Sequence, residues 1–233
     1  TNPLDLPLEM LIPKTNEDRC LREEILDVAV SRHRDNKNVL SAYRHWSPSA
    51  NKRSGILSGI PVSIKDLFGL YGFETYSGTP CPLSVKWQLE GAVVSSLRNA
   101  GAVFTGKTHM VEFAFGGLGT NPHWPTPANP WGVNEAHVPG GSSSGAGVSI
   151  QEGSALVALG SDTAGSVRIP ASFTGTVGLK TTKNRWSTDG LVPLSHSLDT
   201  PGIIARSVAD LAVVFSIIDP ETTTSFDQFL ATL

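Results

Sequence analysis

Cysteine is scarce in this chain: two among 233 residues, Cys20 and Cys81, and neither stands at a metal-ligand or redox spacing. A disulfide framework is not indicated, and the expected compartment is a reducing one, the cytoplasm. Excess positive charge is missing too. Lys and Arg number 18 against 21 Asp and Glu, for a formal charge of -3, with no like-charge block. Nothing here argues for nucleic-acid or membrane-surface binding, and small neutral substrates remain open. No apolar run approaches the length of a bilayer span, and the opening residues Thr1-Asn2-Pro3-Leu4-Asp5 lack a basic stretch followed by an apolar one. The expectation is a soluble chain without a secretion signal or membrane contact. There is no H-x-x-x-H or C-x-x-C pair, so no zinc site is indicated. With no internal repeat or linker, residues 1–233 read as a single domain.

What is present is an ordinary globular mixture, 39% apolar and 17% charged. Residues 1–14 carry three prolines and no clear period, and read as an extended lead-in. Thr15 and Asp18 resemble a capping pair, and Leu21, Ile25, Val28 and Ala29 follow helical spacing, which predicts a helix from about Asn16 to His33. Charged neighbours put His33 on a solvated face of that helix. Gly59 to Asp66 alternates Ile60, Val62 and Ile64 with Ser63 and Lys65, as a strand does. Gly91 to Ala100 reads as a short helix closed by Gly101, and Ala102 to Thr105 as a strand. Gly101 to Thr108 also fits the phosphate-loop pattern G-x-x-x-x-G-K-T. There the middle of the pattern is itself the strand, whereas a phosphate loop must follow one, so nucleotide binding is not expected. Residues 116–141 form a long Gly, Pro, Asn and Trp-rich loop of the kind that often carries function. Thr176 to Thr181 suggests a further strand. Ser207 and Asp210 form an expected capping box for a helix with Val208, Leu211, Ala212, Phe215 and Ile218 on one face. The tail at 220–233 is polar and irregular.

Three places carry chemistry. The apolar run Ala155 to Leu159 leads into Gly160-Ser-Asp-Thr-Ala-Gly-Ser-Val-Arg-Ile-Pro170, a small-residue turn that delivers Ser166 among bare backbone N–H groups. Such a turn can equally serve only strand-to-helix geometry. Lys65 ends a short apolar strand, where a lysine is either solvated or a desolvated amine able to act as a base. The serine cluster at Ser142 follows a Gly-Gly pair; Gly141-Ser-Ser143-Ser-Gly145 matches the G-x-S-x-G elbow but lacks the strand that an elbow needs in front of it. The six histidines sit in no motif, and His123 and His137 in the long loop are candidates for substrate contact. A Ser-His-Asp arrangement stays open at this level, because triads are defined by geometry. The other route is a serine activated by lysine.

Five blocks in order, Gly59 to Asp66, Gly101 to Thr108, Pro139 to Gly145, Gly160 to Pro170, and Ser197-Leu-Asp-Thr-Pro-Gly202 with Arg206 to Ala212, resemble the amidase signature hydrolases over about residues 55–218. The resemblance implies an α/β fold with a mixed central sheet covered by helices, and no cofactor or metal. It implies a Ser-Ser-Lys triad: Lys65 as general base, Ser142 as bridging serine after a cis peptide bond, and Ser166 as nucleophile. The N–H groups of Thr163, Ala164, Gly165 and Ser166 would form the oxyanion hole. Asp162 and Arg168 flank the nucleophile and either brace its turn by hydrogen bonding or form a surface ion pair. Ala164 stands where many members have glycine, a tolerable change for a backbone donor. The implied activity is hydrolysis of a small-molecule carboxylic amide to acid and ammonia or amine. The alternatives are the glutamine-hydrolysing subunit of a tRNA-dependent amidotransferase and a non-catalytic fragment. Members are commonly nearly twice this long, so a truncated chain is expected, with a second copy or a missing C-terminal half covering exposed strand edges.

Overall fold

A computed structural model describes residues 2–49, 54–132, 135–223, 228 and 231. The expected extended lead-in is instead helical: a 3-10 turn at Pro3–Asp5 is followed by α1, Leu8–Glu17. Leu8, Leu11, Ile12 and Thr15 are its buried residues, an i, i+3, i+4, i+7 stripe that the prolines obscure in the sequence. Two of those prolines are harmless to helix formation, since Pro3 starts the 3-10 turn and Pro7 caps α1, where an N–H has no intrahelical partner. Asp18 then caps α2, Arg19–Leu40, accepting from the N–H of Cys20 at 2.8 Å and Leu21 at 3.2 Å. This helix starts three residues later and ends seven residues later than expected.

His33 is a correction. It lies in line with Ile25 and Ala29 on the buried face of α2 and is 6% exposed. Its Nδ1 is 3.1 Å from both carboxylate oxygens of Glu152, and its ring stacks on Trp46 with centroids 4.0 Å apart. Helical phase, not the charge of its sequence neighbours, decides which way it faces.

Six strands form one mixed sheet: β1 (Tyr43–Ser49), β2 (Pro61–Lys65), β3 (Val103–Thr108), β4 (Val157–Asp162), β5 (Val177–Lys180) and β6 (Thr200–Ala205). Their spatial order is β1-β3-β2-β4-β6-β5, with β2 parallel to β3 and β4 and every other pairing antiparallel. Alternate residues of β4 and β6 enter different cores. Val157, Leu159, Ile203 and Ala205 join the large cluster with α1, α2 and the helices α3 (Ala92–Asn99) and α6 (Val208–Ile218). Ala158 and Ile204 join a smaller one with α4 (Ser144–Glu152) and α5 (Arg168–Thr174). Both faces of the sheet are therefore covered, as the mixed α/β expectation required. That is why all of β2 is buried, Ser63 and Lys65 included; the Ser63 hydroxyl meets that of Ser149 on α4 at 2.9 Å.

At the start of α6 only half of the expected capping box forms. Ser207 accepts from the Asp210 N–H at 3.0 Å, but the Asp210 carboxylate takes the Leu8 N–H of α1 at 2.6 Å and Arg206 Nε at 3.3 Å. Tertiary contact outcompetes the local box. The expected irregular tail at 220–233 lies largely outside the described residues.

Asp18 supplies the side-chain cap of α2 in an exposed position. Replacing it with alanine should lower unfolding free energy by about 1 kcal/mol in urea titration, with the folded baseline of the circular dichroism spectrum unchanged.

Candidate active site

Lys65 is the last residue of β2. Its ladder partner on β3 is Thr108, while pairing with β4 stops one residue earlier, at Ile64 with Leu159. The side chain is fully buried, and Nζ lies 2.7 Å from Ser142 Oγ, 2.9 Å from Ser161 Oγ and 3.4 Å from the Ser161 carbonyl. Burial lowers its pKa from the ordinary 10.5 to about 7, against the opposing pull of the Asp162 and Asp199 carboxylates. A neutral amine carries two N–H donors and one lone pair. Ser161, with a hydroxyl and a carbonyl facing Nζ, can occupy the donors and leave the lone pair for the Ser142 hydroxyl. Ser161 is a site residue that sequence reasoning missed. The available signal was a serine inside a strand otherwise committed to burial.

Ser142 is held from three sides. The Gly141–Ser142 peptide is cis. The Gly141 N–H donates to the Gly117 carbonyl at 2.8 Å, and the Ser142 carbonyl accepts from the Val111 N–H at 3.1 Å. The long loop thus acts as a wall against which the serine is set. Gly119, with φ +92, passes so close that a Cβ there would meet the Gly140 carbonyl oxygen at 2.4 Å, so only glycine fits. Ser143, the centre of the G-x-S-x-G match, is buried and donates to the Ser161 carbonyl at 3.3 Å, and no strand leads directly into it among the described residues.

Ser166 follows β4 on a turn organised by one carboxylate. Asp162 accepts from the N–H groups of Gly165 (2.7 Å), Val167 (3.1 Å) and Arg168 (3.3 Å), and from Nε and Nη2 of Arg168, both at 3.0 Å. Burial acts to raise the Asp162 pKa, but the hydrogen bonds from Arg168 and the three N–H groups together outweigh it and hold the carboxyl below its usual range. Gly165, expected among the oxyanion donors, therefore gives its N–H to Asp162. The N–H groups of Thr163, Ala164 and Ser166 have no acceptor among the described residues. Thr163 is fixed from its other end by a 2.6 Å hydrogen bond from its hydroxyl to Asp199, which also takes the N–H groups of Leu194 and Ser195. Asp199 is a second residue missed from sequence.

The two serine loops are joined directly, since the Ser143 N–H donates to the Ser166 carbonyl at 3.2 Å. Ser166 is 9% exposed, and its hydroxyl has no hydrogen-bond partner among the described residues. No histidine side chain is hydrogen-bonded to Ser142 or Ser166 among those residues. His123 pairs with Glu112 at 3.1 Å, and burial together with the nearby Arg44 cation pushes His109 down to about 4, which keeps it neutral. Within the Gly101 to Thr108 pattern, Val103–Thr108 is strand β3, which starts one residue later and ends three residues later than the expected Ala102 to Thr105, and Lys107 turns inward to the Phe68 carbonyl at 2.7 Å.

Because the Asp162 pKa is depressed on folding, its contribution to stability is full above the ordinary carboxylate range and is lost as pH falls through the lowered value. Asp162→Asn should therefore be less stable than wild type by about 2 kcal/mol at pH 7, a figure reduced by the exposure of the Arg168 partner. The gap should close below about pH 4 when chemical denaturation is repeated across pH.

A protein-family model described as Amidase matches residues 23–229. The chain is 49% identical over 213 residues to a 2-amino-5-chloromuconic acid deaminase of Comamonas testosteroni, covering 85% of this chain and 46% of that protein. It is 44% identical over 176 residues to a glutamyl-tRNA(Gln) amidotransferase subunit of Carboxydothermus hydrogenoformans, covering 74% of this chain and 36% of the relative. A crystal structure of an amidase superposes with a TM-score of 0.80 at 33% identity, over 93% of this chain and 51% of that one. The chain thus spans about half or less of each relative. With the family model matched over most of its length and the fold shared, the chain belongs to the amidase signature family.

Proposed function

We propose that this site hydrolyses a carboxylic amide through an acyl-enzyme on Ser166, with Lys65 and Ser142 as its proton relay. The observation that carries the reading is the fully buried Lys65 amine, 2.7 Å from Ser142 Oγ and with a pKa of about 7. In this reading neutral Lys65 takes the Ser142 proton as Ser142 takes that of Ser166. The Ser166 oxygen then attacks the amide carbonyl. The developing oxyanion is met by the free N–H groups of Thr163, Ala164 and Ser166, where one donor is worth about 3 kcal/mol. Collapse breaks the C–N bond as the relay returns the proton to the leaving nitrogen, and water, deprotonated by the same relay, cleaves the ester.

Ammonia is the favoured leaving group, supported by the likeness to a protein named for deamination. The likeness to a glutamyl-tRNA(Gln) amidotransferase component supports a second reading, glutamine hydrolysis. The two separate on whether ammonia release from glutamine requires added partner subunits.

Ser166→Ala should abolish covalent labelling by a fluorophosphonate. Lys65→Ala and Ser142→Ala should each slow labelling and amide hydrolysis by about a hundredfold or more. A folded wild-type chain that never labels at Ser166 would overturn the catalytic reading in favour of a non-catalytic fragment. Since the neutral amine is the working form, the labelling rate should climb about tenfold per pH unit below pH 7 and level off above it. A profile flat from pH 5 to 9 would show that Lys65 is not the base.

A further inference from the structure

The sheet buries a second ionic centre that the proposed mechanism does not use. Asp66, the residue after Lys65, is fully buried and binds two cations. Arg44 on β1 approaches Oδ2 through Nε at 2.7 Å and Oδ1 through Nη2 at 3.3 Å, and Lys107 Nζ on β3 lies 3.2 Å from Oδ1. The cations are themselves tethered. Lys107 reaches the Phe68 carbonyl at 2.7 Å and Thr75 Oγ1 at 3.0 Å, and Arg44 donates to the Glu74 carbonyl at 3.0 Å and lies over the Tyr76 ring at 3.9 Å. The Asp66 carbonyl accepts the Ser77 N–H at 3.1 Å.

Such a cluster is a poor way to gain stability. Desolvating three charges costs about as much as their attraction returns, and well-packed apolar residues would serve as well. Its location suggests a different use. Pairing of β2 with β4 ends at Ile64, so the Lys65 backbone has a ladder partner only on the β3 side. One residue further on, the chain leaves the strand, and Asp66 is the first side chain able to fix where it goes. Its partners come from β1 and β3, the strands on the flank away from β4. The relay depends on a 2.7 Å contact, and displacements of about 1 Å in catalytic geometry can cost about a hundredfold in rate.

We infer that Asp66, through its ion cluster with Arg44 and Lys107, is a positioning residue that holds the Lys65 amine against Ser142. It touches neither the reacting atoms nor the amine itself. The charged groups facing Lys65 are Asp162 and Asp199, while Glu74, His45 and His109 stand around the cluster. The inference rests on the proposed relay, but the position of the amine can be read without catalysis.

The test compares wild type with Asp66→Asn/Lys107→Met, a double variant that removes one charge of each sign and so keeps the net charge of the cluster. Asp18→Ala serves as a control destabilised away from the site. Two quantities are measured: the rate constant for fluorophosphonate labelling of Ser166 across pH, and the titration midpoint of the Lys65 13Cε NMR signal, assigned by its loss in Lys65→Arg. The double variant should label about ten- to a hundredfold more slowly. Its Lys65 midpoint should rise by about one pH unit or more as water reaches the amine. Asp18→Ala should match wild type in both. Wild-type midpoint and rate in the double variant would overturn the inference, as would an equal loss in Asp18→Ala. If the wild type itself does not label, the proposed function fails while the NMR titration still decides the role of Asp66.

Discussion

The site rests on keeping one amine dry. Lys65 lies at the end of a central strand whose two faces are both covered, and that coverage moves its pKa from the ordinary lysine range to about 7. Everything else near it follows from satisfying a desolvated nitrogen without giving it a strong counter-charge. Its three contacts are two hydroxyls and a carbonyl, all neutral. Asp162 and Asp199, the carboxylates that act on it, are engaged elsewhere: one is saturated by five N–H donors of the Ser166 turn and the other holds Thr163, Leu194 and Ser195. A carboxylate placed directly on Nζ would have fixed the proton there.

The same requirement shapes the two serine loops. Each is irregular backbone in a buried setting, where every N–H and C=O needs a partner. The Ser142 loop finds its partners on residues 111–118, and the Ser166 turn finds them in Asp162. Those obligations sort the donors: Gly165 is consumed by the scaffold, while Thr163, Ala164 and Ser166 keep their N–H groups. A small-residue turn in the sequence cannot reveal that division, because it depends on which way one carboxylate points.

Much of the arrangement is legible in the sequence wherever a local rule and the tertiary fold agree. The strand ending at Lys65, the helix closed by Gly101 and the strand inside the false phosphate loop follow from period and turn chemistry, whereas the mixed sheet is implied by the family resemblance. The failures share a cause. At Pro7 and Pro13 composition hid a helical stripe; at His33 neighbouring charges outweighed helical phase in the reading; at Asp210 a local capping box yielded to a contact 202 residues away. Ser161 and Asp199 escaped because a hydrogen bond between distant segments leaves no periodic trace. The roles of Lys65, Ser142 and Ser166 came from ordered blocks resembling a family, which spacing alone would not have brought together.

The clasp between α1 and α6 also bears on how the chain is made. Arg206 donates to the carbonyls of Leu4 and Leu6, and Asp210 takes the N–H that opens α1, so the segment around α1 finds these partners only after residue 210 has left the ribosome. Until then Leu4, Leu8, Leu11 and Ile12, all fully buried in the finished structure, have an incomplete core to pack against. Such long-range closure slows folding and leaves apolar surface open during synthesis. A segment translated well ahead of its partners is thus among the last to be secured, and through that interval its apolar stripe is the surface a chaperone would cover.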